Sequence, residues 1–295
     1  VGHELDLIHV DELCLSRSLP RRVPCPVLVH HHKLDLEYVS AIERSTARRM
    51  LEVRRWSRLE HETLARTREH VFCCEEDAQR FAARHRQAHT HVVENGVDLE
   101  HFSPEDRPRD PDHLLALGSL DYEPNARGLE TFLASAWPRL RAALPALELS
   151  IVGRGSDPHR WRHLPPGARL VGAVEDVRPW LARATALVVP LAAGGGTRLK
   201  IVEAAAMNCP VVSTRVGAEG LALEPGEHLL LAEDTESLAE PLLQALGDPA
   251  ALRRRASAAR ERVAQRYGWS NLGARLGQIW LDVASSSSRP APTMR

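Results

Sequence analysis

Three consecutive glycines, Gly194, Gly195 and Gly196, are followed by Thr197, Arg198 and Lys200, with Glu203 further on. They lie between an apolar run at 184–190 (ATALVVP) and a helix-like run that opens RLKIVEAAAM. Strand, glycine-rich turn and helix start form a geometry that receives phosphate, because free backbone N–H groups at a helix N-terminus point at an anion with the helix dipole behind them. Glycine lets the ligand approach the backbone. Cations at a helix start oppose the dipole, so Arg198 and Lys200 are easier to explain by an anionic ligand than by helix stability. Read from spacing alone, the segment is equally an ordinary tight turn with solvated charges.

A second constellation is residues 27–33 (VLVHHHK), an apolar strand ending in His30, His31, His32 and Lys33. Successive strand residues point to opposite faces, so three consecutive histidines cannot all reach one metal ion, and no metal site is expected. His85, His89 and His91 straddle a helix end and a strand start and are expected to be solvated. Asp110 and Asp112 have an Asp-x-Asp spacing but lie in a Pro-rich stretch, where they fit solvated turn residues. The five cysteines are odd in number, and adjacent Cys73 and Cys74 sit in an apolar run, so reduced core thiols are expected rather than disulfides or zinc ligands. Lysine occurs only at positions 33 and 200.

The elements around these residues follow a βα pattern. Runs 5–10, 26–30, 70–74 and 91–94 are predicted strands, with one long polar helix over 36–68. Residues 95–111 are rich in turn formers and predict a linker. Strands are then predicted at 113–117, 147–152, 169–171, 184–190 and 210–213, each followed by a turn and a helix-like run, so two doubly wound α/β units are expected. Residues 269–283 carry an apolar stripe of Leu272, Leu276, Ile279, Trp280 and Val283, with Ser270 as the expected N-cap. The tail 285–295 is low-complexity and expected to be disordered.

Composition narrows the function. The 295 residues suffice for about two domains. The formal charge of −1 leaves no net positive field for a nucleic-acid backbone. No apolar run approaches the roughly 20 residues that span a bilayer. Residues 1–9 carry His3, Glu4 and Asp6, unlike the apolar core of a signal peptide, so the expected compartment is the cytoplasm.

The segments PLAAGGGTRLKIVEAAAMNCPVVST, LALGSLDYEPNARGLETF, IVGRGSD, LVGAVEDVRPWLARA and VVENGVDLEHF resemble, in order and spacing, the retaining GT-B glycosyltransferases of glycosyltransferase family 4. The resemblance covers about residues 71–280. It implies two Rossmann-like domains facing a cleft: an acceptor-side domain with linker over 1–107, a nucleotide-sugar-binding domain over 108–268, and a helix over 269–284 crossing back to the first. Gly118, Ser119, Gly153, Arg154, Val174, Gly194, Gly195, Gly196, Thr197, Arg198, Lys200 and Glu203 would surround the donor, with Glu203 on the ribose and the glycine loop on the diphosphate and sugar. His31, within one residue, matches the histidine that the family places near the anomeric carbon. In the chemistry so implied, His31, Arg198, Lys200 and Glu203 are the catalytic set.

Departures from the family pattern are specific. Gly195 stands eight residues before Glu203, where many members have a glutamate for the donor sugar, and Ser119 and Pro124 replace an Arg and a Lys that clamp the diphosphate. Arg198 and Lys200 would supply that charge from the other side. The expected activity is retaining, metal-independent hexosyl transfer from a nucleoside diphosphate sugar to a glycan or lipid-linked acceptor, in the cytoplasm or peripherally at the inner face of the membrane, for surface polysaccharide or glycan synthesis. No cofactor is expected. The family's first domain begins with a strand, an acceptor loop and a βα unit ahead of anything like LDLIHV, so an incomplete N-terminal domain that binds donor but transfers poorly is also expected. The competing expectations are a nucleotide-sugar-binding module without turnover and a GT-B nucleotide-sugar epimerase.

Overall fold

The computed structural model describes residues 5–20, 22–43, 45–105, 107–155, 157, 159–193 and 198–286; Gly194, Gly195, Gly196, Thr197 and the tail 287–295 lie outside the described residues. The chain divides into two compact units. The first comprises residues up to 95 together with the C-terminal segment from 270; the second takes 96–193 and 198–269.

In the first unit the elements are β1 (Ile8–Asp11), β2 (Val27–His31), α1 (Asp35–Ile42), α2 (Thr46–Leu64), β3 (Glu69–Phe72), α3 (Glu75–Arg84) and β4 (His89–Val92). The strands form a parallel sheet in chain order, with Asp11 beside His30 and His31 beside Phe72. Alternation along β2 sends Val27 and Val29 into a core with Leu13 and Leu59, and Leu28 into a different core on the opposite face. The long helix predicted over 36–68 is two helices, because the Ser45 side chain accepts the Arg48 N–H and starts α2 afresh. Acidic residues Glu75, Glu76 and Asp77 in the first turn of α3 and Arg84 in its last complement the helix dipole.

The second unit contains β5 (His113–Leu117), α4 (Glu123–Ala143), β6 (Glu148–Val152), β7 (Ala168–Gly172), α5 (Arg178–Arg183), β8 (Ala186–Val189), α6 (Leu199–Ala206), β9 (Val211–Thr214), α7 (Arg215–Ala218), β10 (Leu230–Ala232), α8 (Ala239–Gly247) and α9 (Pro249–Arg266). Its six strands are parallel in the order β10-β9-β8-β5-β6-β7. Both faces are covered: Leu114, Ala116, Ala186 and Val188 join one core, and Leu115, Leu187 and Val189 the other. Burial on both sides explains why these strands read as continuous apolar runs. The strand order reverses between β5 and β8, which makes their C-terminal ends the place where an α/β sheet of this kind takes its ligand.

The last helix, α10 (Trp269–Ser286), starts one residue before the expected cap, and from Ser270 onward it is grouped with the first unit. Leu272, Ile279 and Val283 pack with Leu28, Val71 and Val93, with Leu276 partly buried against them. Trp280, expected in the same stripe, is 41% exposed at its edge and donates from Nε1 to His9 Nδ1 at 3.1 Å. Ser285 and Ser286, expected in the tail, belong to this helix. Among the described residues no helix is long and apolar enough to cross a membrane.

The stretch expected to link the domains is instead largely part of the second unit. The division falls after Asn95 rather than near 107. Val97 donates its N–H to the Tyr267 carbonyl at 2.8 Å. Arg109 donates to the carbonyls of Leu181, Ala182, Ala184, Met207 and Asn208, so one guanidinium closes the C-terminal ends of both α5 and α6. Asp110 receives two hydrogen bonds from Arg183, at 2.8 and 3.1 Å, and is ion-paired rather than simply solvated.

Candidate functional site

The switch point of the second unit is built from the ends of β5 and β8 and the starts of α4 and α6. The chain leaves β5 at Gly118, whose φ of +144° is strained for any L side chain. A Cβ there would lie 2.7 Å from Lys200 Nζ and 2.8 Å from Asn125 Nδ2. After β6, Gly153 approaches so closely that a Cβ would lie 1.9 Å from the Gly118 carbonyl oxygen. Two further backbone bonds tie these loops: Gly118 N–H to Val152 O at 3.1 Å and Leu120 N–H to Arg154 O at 2.7 Å. Gly118, Ser119, Gly153 and Arg154 are thus brought to one end of the sheet.

From α6 the side chains return to the same point. Lys200 Nζ donates to Asn125 Oδ1 at 2.9 Å, and Asn125 Nδ2 donates to the Ser119 carbonyl at 2.9 Å. Gly118, Leu120, Asn125, Pro190, Leu191 and Lys200 all line a small cavity there. Burial, reinforced by the nearby charge of Arg198, lowers the Lys200 ammonium to about 8. Arg198 precedes α6, is buried, and donates from Nη2 to the Val216 carbonyl at 3.3 Å. No acidic residue occupies the first turn of α6. Glu203 is half-buried one turn on; burial raises its carboxyl, opposed by the charges of Lys200 and His101. Val174 lies on the loop after β7, partly buried against the core beneath. The glycine-loop residues Gly194, Gly195, Gly196 and Thr197 lie outside the described residues.

Asn125 is the residue that sequence inspection missed. Its signal was available: an amide beside Pro124, in the first turn of the helix that follows GSLDY, next to the place where the resemblance seeks a lysine for the diphosphate.

The histidine triplet divides by face. His31 is 3% exposed and sits inside the first unit, stacked on Phe72 with ring centroids 4.6 Å apart and sharing a hydrogen bond with His70 at 2.9 Å. Burial holds its imidazole well below the ordinary range. Phe72 and Phe81 surround it, so the side chain is packed in a core rather than standing at an open strand end. His30 and His32 take the other face. His85 also departs from expectation: it is nearly buried and pairs with the buried Glu60 at 3.0 Å. His89 and His91 both reach Glu69. All five cysteines are free, but Cys14 is exposed and so is not a core thiol.

Residues 111–248 match the family described as Glycosyl transferases group 1. The second unit is a glycosyl transferases group 1 domain. The glycogen synthase of Mycobacterium tuberculosis is 32% identical over 215 residues, which are 69% of this chain and 51% of that protein. The phosphatidyl-myo-inositol mannosyltransferase of Mycobacterium leprae is 32% identical over 209 residues, 67% of this chain and 54% of that protein. The chain therefore spans about half the length of these curated relatives. The sucrose-phosphate synthase of Thermosynechococcus elongatus superimposes with a TM-score of 0.78 at 23% identity, over 95% of this chain and 74% of that one. The fold is of the GT-B class, with parallel α/β units in both halves.

Proposed function

We propose that the group 1 domain binds a nucleoside diphosphate sugar and that the chain transfers the sugar to an acceptor hydroxyl with retention of configuration. The observation that carries this reading is the placement of Lys200, held by Asn125, at the β5/β8 switch point beside the acid-free start of α6. That is where fixed charge and helix dipole would meet a diphosphate. Arg198, Lys200 and the amides of residues 194–197 would stabilise the departing phosphate, with Gly118, Ser119, Gly153, Arg154 and Val174 lining the donor and Glu203 accepting from its ribose hydroxyls. The bond from the anomeric carbon to phosphate breaks, the acceptor oxygen bonds to the same face, and its proton passes to the leaving phosphate. In this reading transfer needs no divalent ion or other cofactor.

The names of the relatives support a hexosyl donor and an acceptor that is a glycan or lipid-linked; the proposed place of the reaction is the cytoplasm or, peripherally, the inner face of the membrane. Calorimetry with UDP-, GDP- and ADP-sugars in EDTA, followed by NMR of products with an alcohol acceptor, tests the proposal. Binding of one nucleotide class and a retained glycoside are expected. Failure of every nucleoside diphosphate to bind overturns it. The burial of His31 favours a second reading, a donor-binding module without turnover, which binding without product would select. A new sugar isomer formed without acceptor would indicate an epimerase.

A further inference from the structure

We propose that the first unit holds a zinc-class divalent ion between His30, His32 and Cys73, with Asp11 fixing the imidazoles from behind. The donors come from the C-terminal ends of three adjacent strands. In the sheet register Asp11 lies beside His30, and His31 beside Phe72, so that one step on His32 lies beside Cys73. Residues 30 and 32 share a face because they are two apart, and Asp11 and Cys73 are their same-face neighbours. The ligand atoms of His30, His32 and Cys73 all lie within 4.8 Å of one another.

The distances fit coordination. Cys73 Sγ is 3.6 Å from His30 Nε2 and 3.6 Å from His32 Nδ1. A tetrahedral ion with metal–sulfur bonds of about 2.3 Å and metal–nitrogen bonds of about 2.0–2.1 Å separates S and N ligands by about 3.6 Å. The remaining nitrogens of the same two rings face one carboxylate: Asp11 Oδ1 accepts from His32 Nε2 at 2.8 Å and lies 3.7 Å from His30 Nδ1. A carboxylate can only accept, so His32 Nε2 donates to it, and in the neutral ring this leaves the Nδ1 lone pair turned toward Cys73. This carboxylate–histidine arrangement orients ligands in metal sites. His9 stacks on His30 at 5.5 Å and is itself held by Trp280, which stiffens the cluster. Two imidazoles and a thiol suit zinc or its analogue cobalt rather than magnesium or calcium, which take oxygen. The site is independent of the donor-binding proposal, since all of its residues belong to the first unit.

The untagged 295-residue chain, stripped with a chelator and titrated with Co²⁺, tests this. One equivalent should bind with tetrahedral ligand-field bands and a thiolate-to-cobalt charge-transfer band, both erased by Zn²⁺. Cys73→Ser should abolish the charge-transfer band and Cys14→Ser should leave it intact. His32→Ala, at a partly exposed position, should weaken binding at least about tenfold, and Asp11→Asn should weaken it about 10–100-fold while the band persists. Circular dichroism reports whether each variant is folded. Absence of the band in folded wild type, or its persistence in Cys73→Ser, overturns the proposal; if Cys73→Ser does not fold, unchanged Co²⁺ affinity in His32→Ala does so.

Discussion

Lys200 and Asn125, 75 residues apart, are joined by a 2.9 Å hydrogen bond at the reversal point of the second unit's sheet. The same amide donates to the Ser119 carbonyl, so Asn125 sets both the lysine head and the turn that follows β5. Asn125→Leu removes both bonds without shortening the side chain. It should weaken nucleoside diphosphate binding by about 1–2 kcal/mol while the domain stays folded, as measured by calorimetry and thermal unfolding. Equal affinity in a folded variant would separate Asn125 from the site.

The lowered Lys200 ammonium gives donor binding a pH signature. With its value at about 8, the side chain is mostly charged at neutral pH and loses its proton above that. A bound diphosphate favours the charged form and raises the value, so binding above pH 8 must take up a proton. Affinity should therefore fall as pH rises through 8, by up to about tenfold per unit until the bound-state value is reached. Lys200→Arg, which does not titrate in this range, should flatten the profile. A wild-type profile flat from pH 7 to 9.5 would remove Lys200 from phosphate contact.

The sequence carried the βα order because the second unit's strands are buried on both faces and so are written as uninterrupted apolar runs. β10 escaped, since three residues, Leu230–Ala232, show no period. Arg109 lies in the stretch read as a linker, and its role was hidden because the five carbonyls it binds come from two helix ends about 70 to 100 residues away in sequence. The triplet shows the same limit more sharply. Alternation correctly denies one ion to three consecutive histidines, but only inter-strand register can bring Cys73 and Asp11 beside the two that share a face. Motif order alone pointed to Gly118, Gly153 and Lys200, which the fold brings to one end of the sheet, whereas the pairing of Asn125 with Lys200 spans 75 residues and shows only in the fold.

Glu203 should report on the ribose. If its carboxylate accepts from ribose hydroxyls, Glu203→Ala should weaken binding by about 1–3 kcal/mol. A 2′-deoxyribonucleoside diphosphate should bind wild type more weakly but lose little further affinity in the variant, because the two changes remove the same interaction. Additive losses in that cycle would place Glu203 elsewhere.

His31 separates a core role from a contact with sugar. Its ring stacks on Phe72 and shares a hydrogen bond with His70, and 3% of its surface is exposed. His31→Ala opens a cavity among aromatic rings and leaves a buried His70 nitrogen without its partner, and together these should cost about 2–5 kcal/mol. The loss should appear in urea unfolding as an earlier transition of the first unit, followed separately from the second because a chain of two units need not unfold in one step. Nucleoside diphosphate affinity should not change, since its proposed residues lie in the other unit. His31→Phe keeps the stack and removes only the polar bond, so it should recover much of the stability. Unchanged unfolding together with lost sugar transfer would show instead that the imidazole serves the reaction.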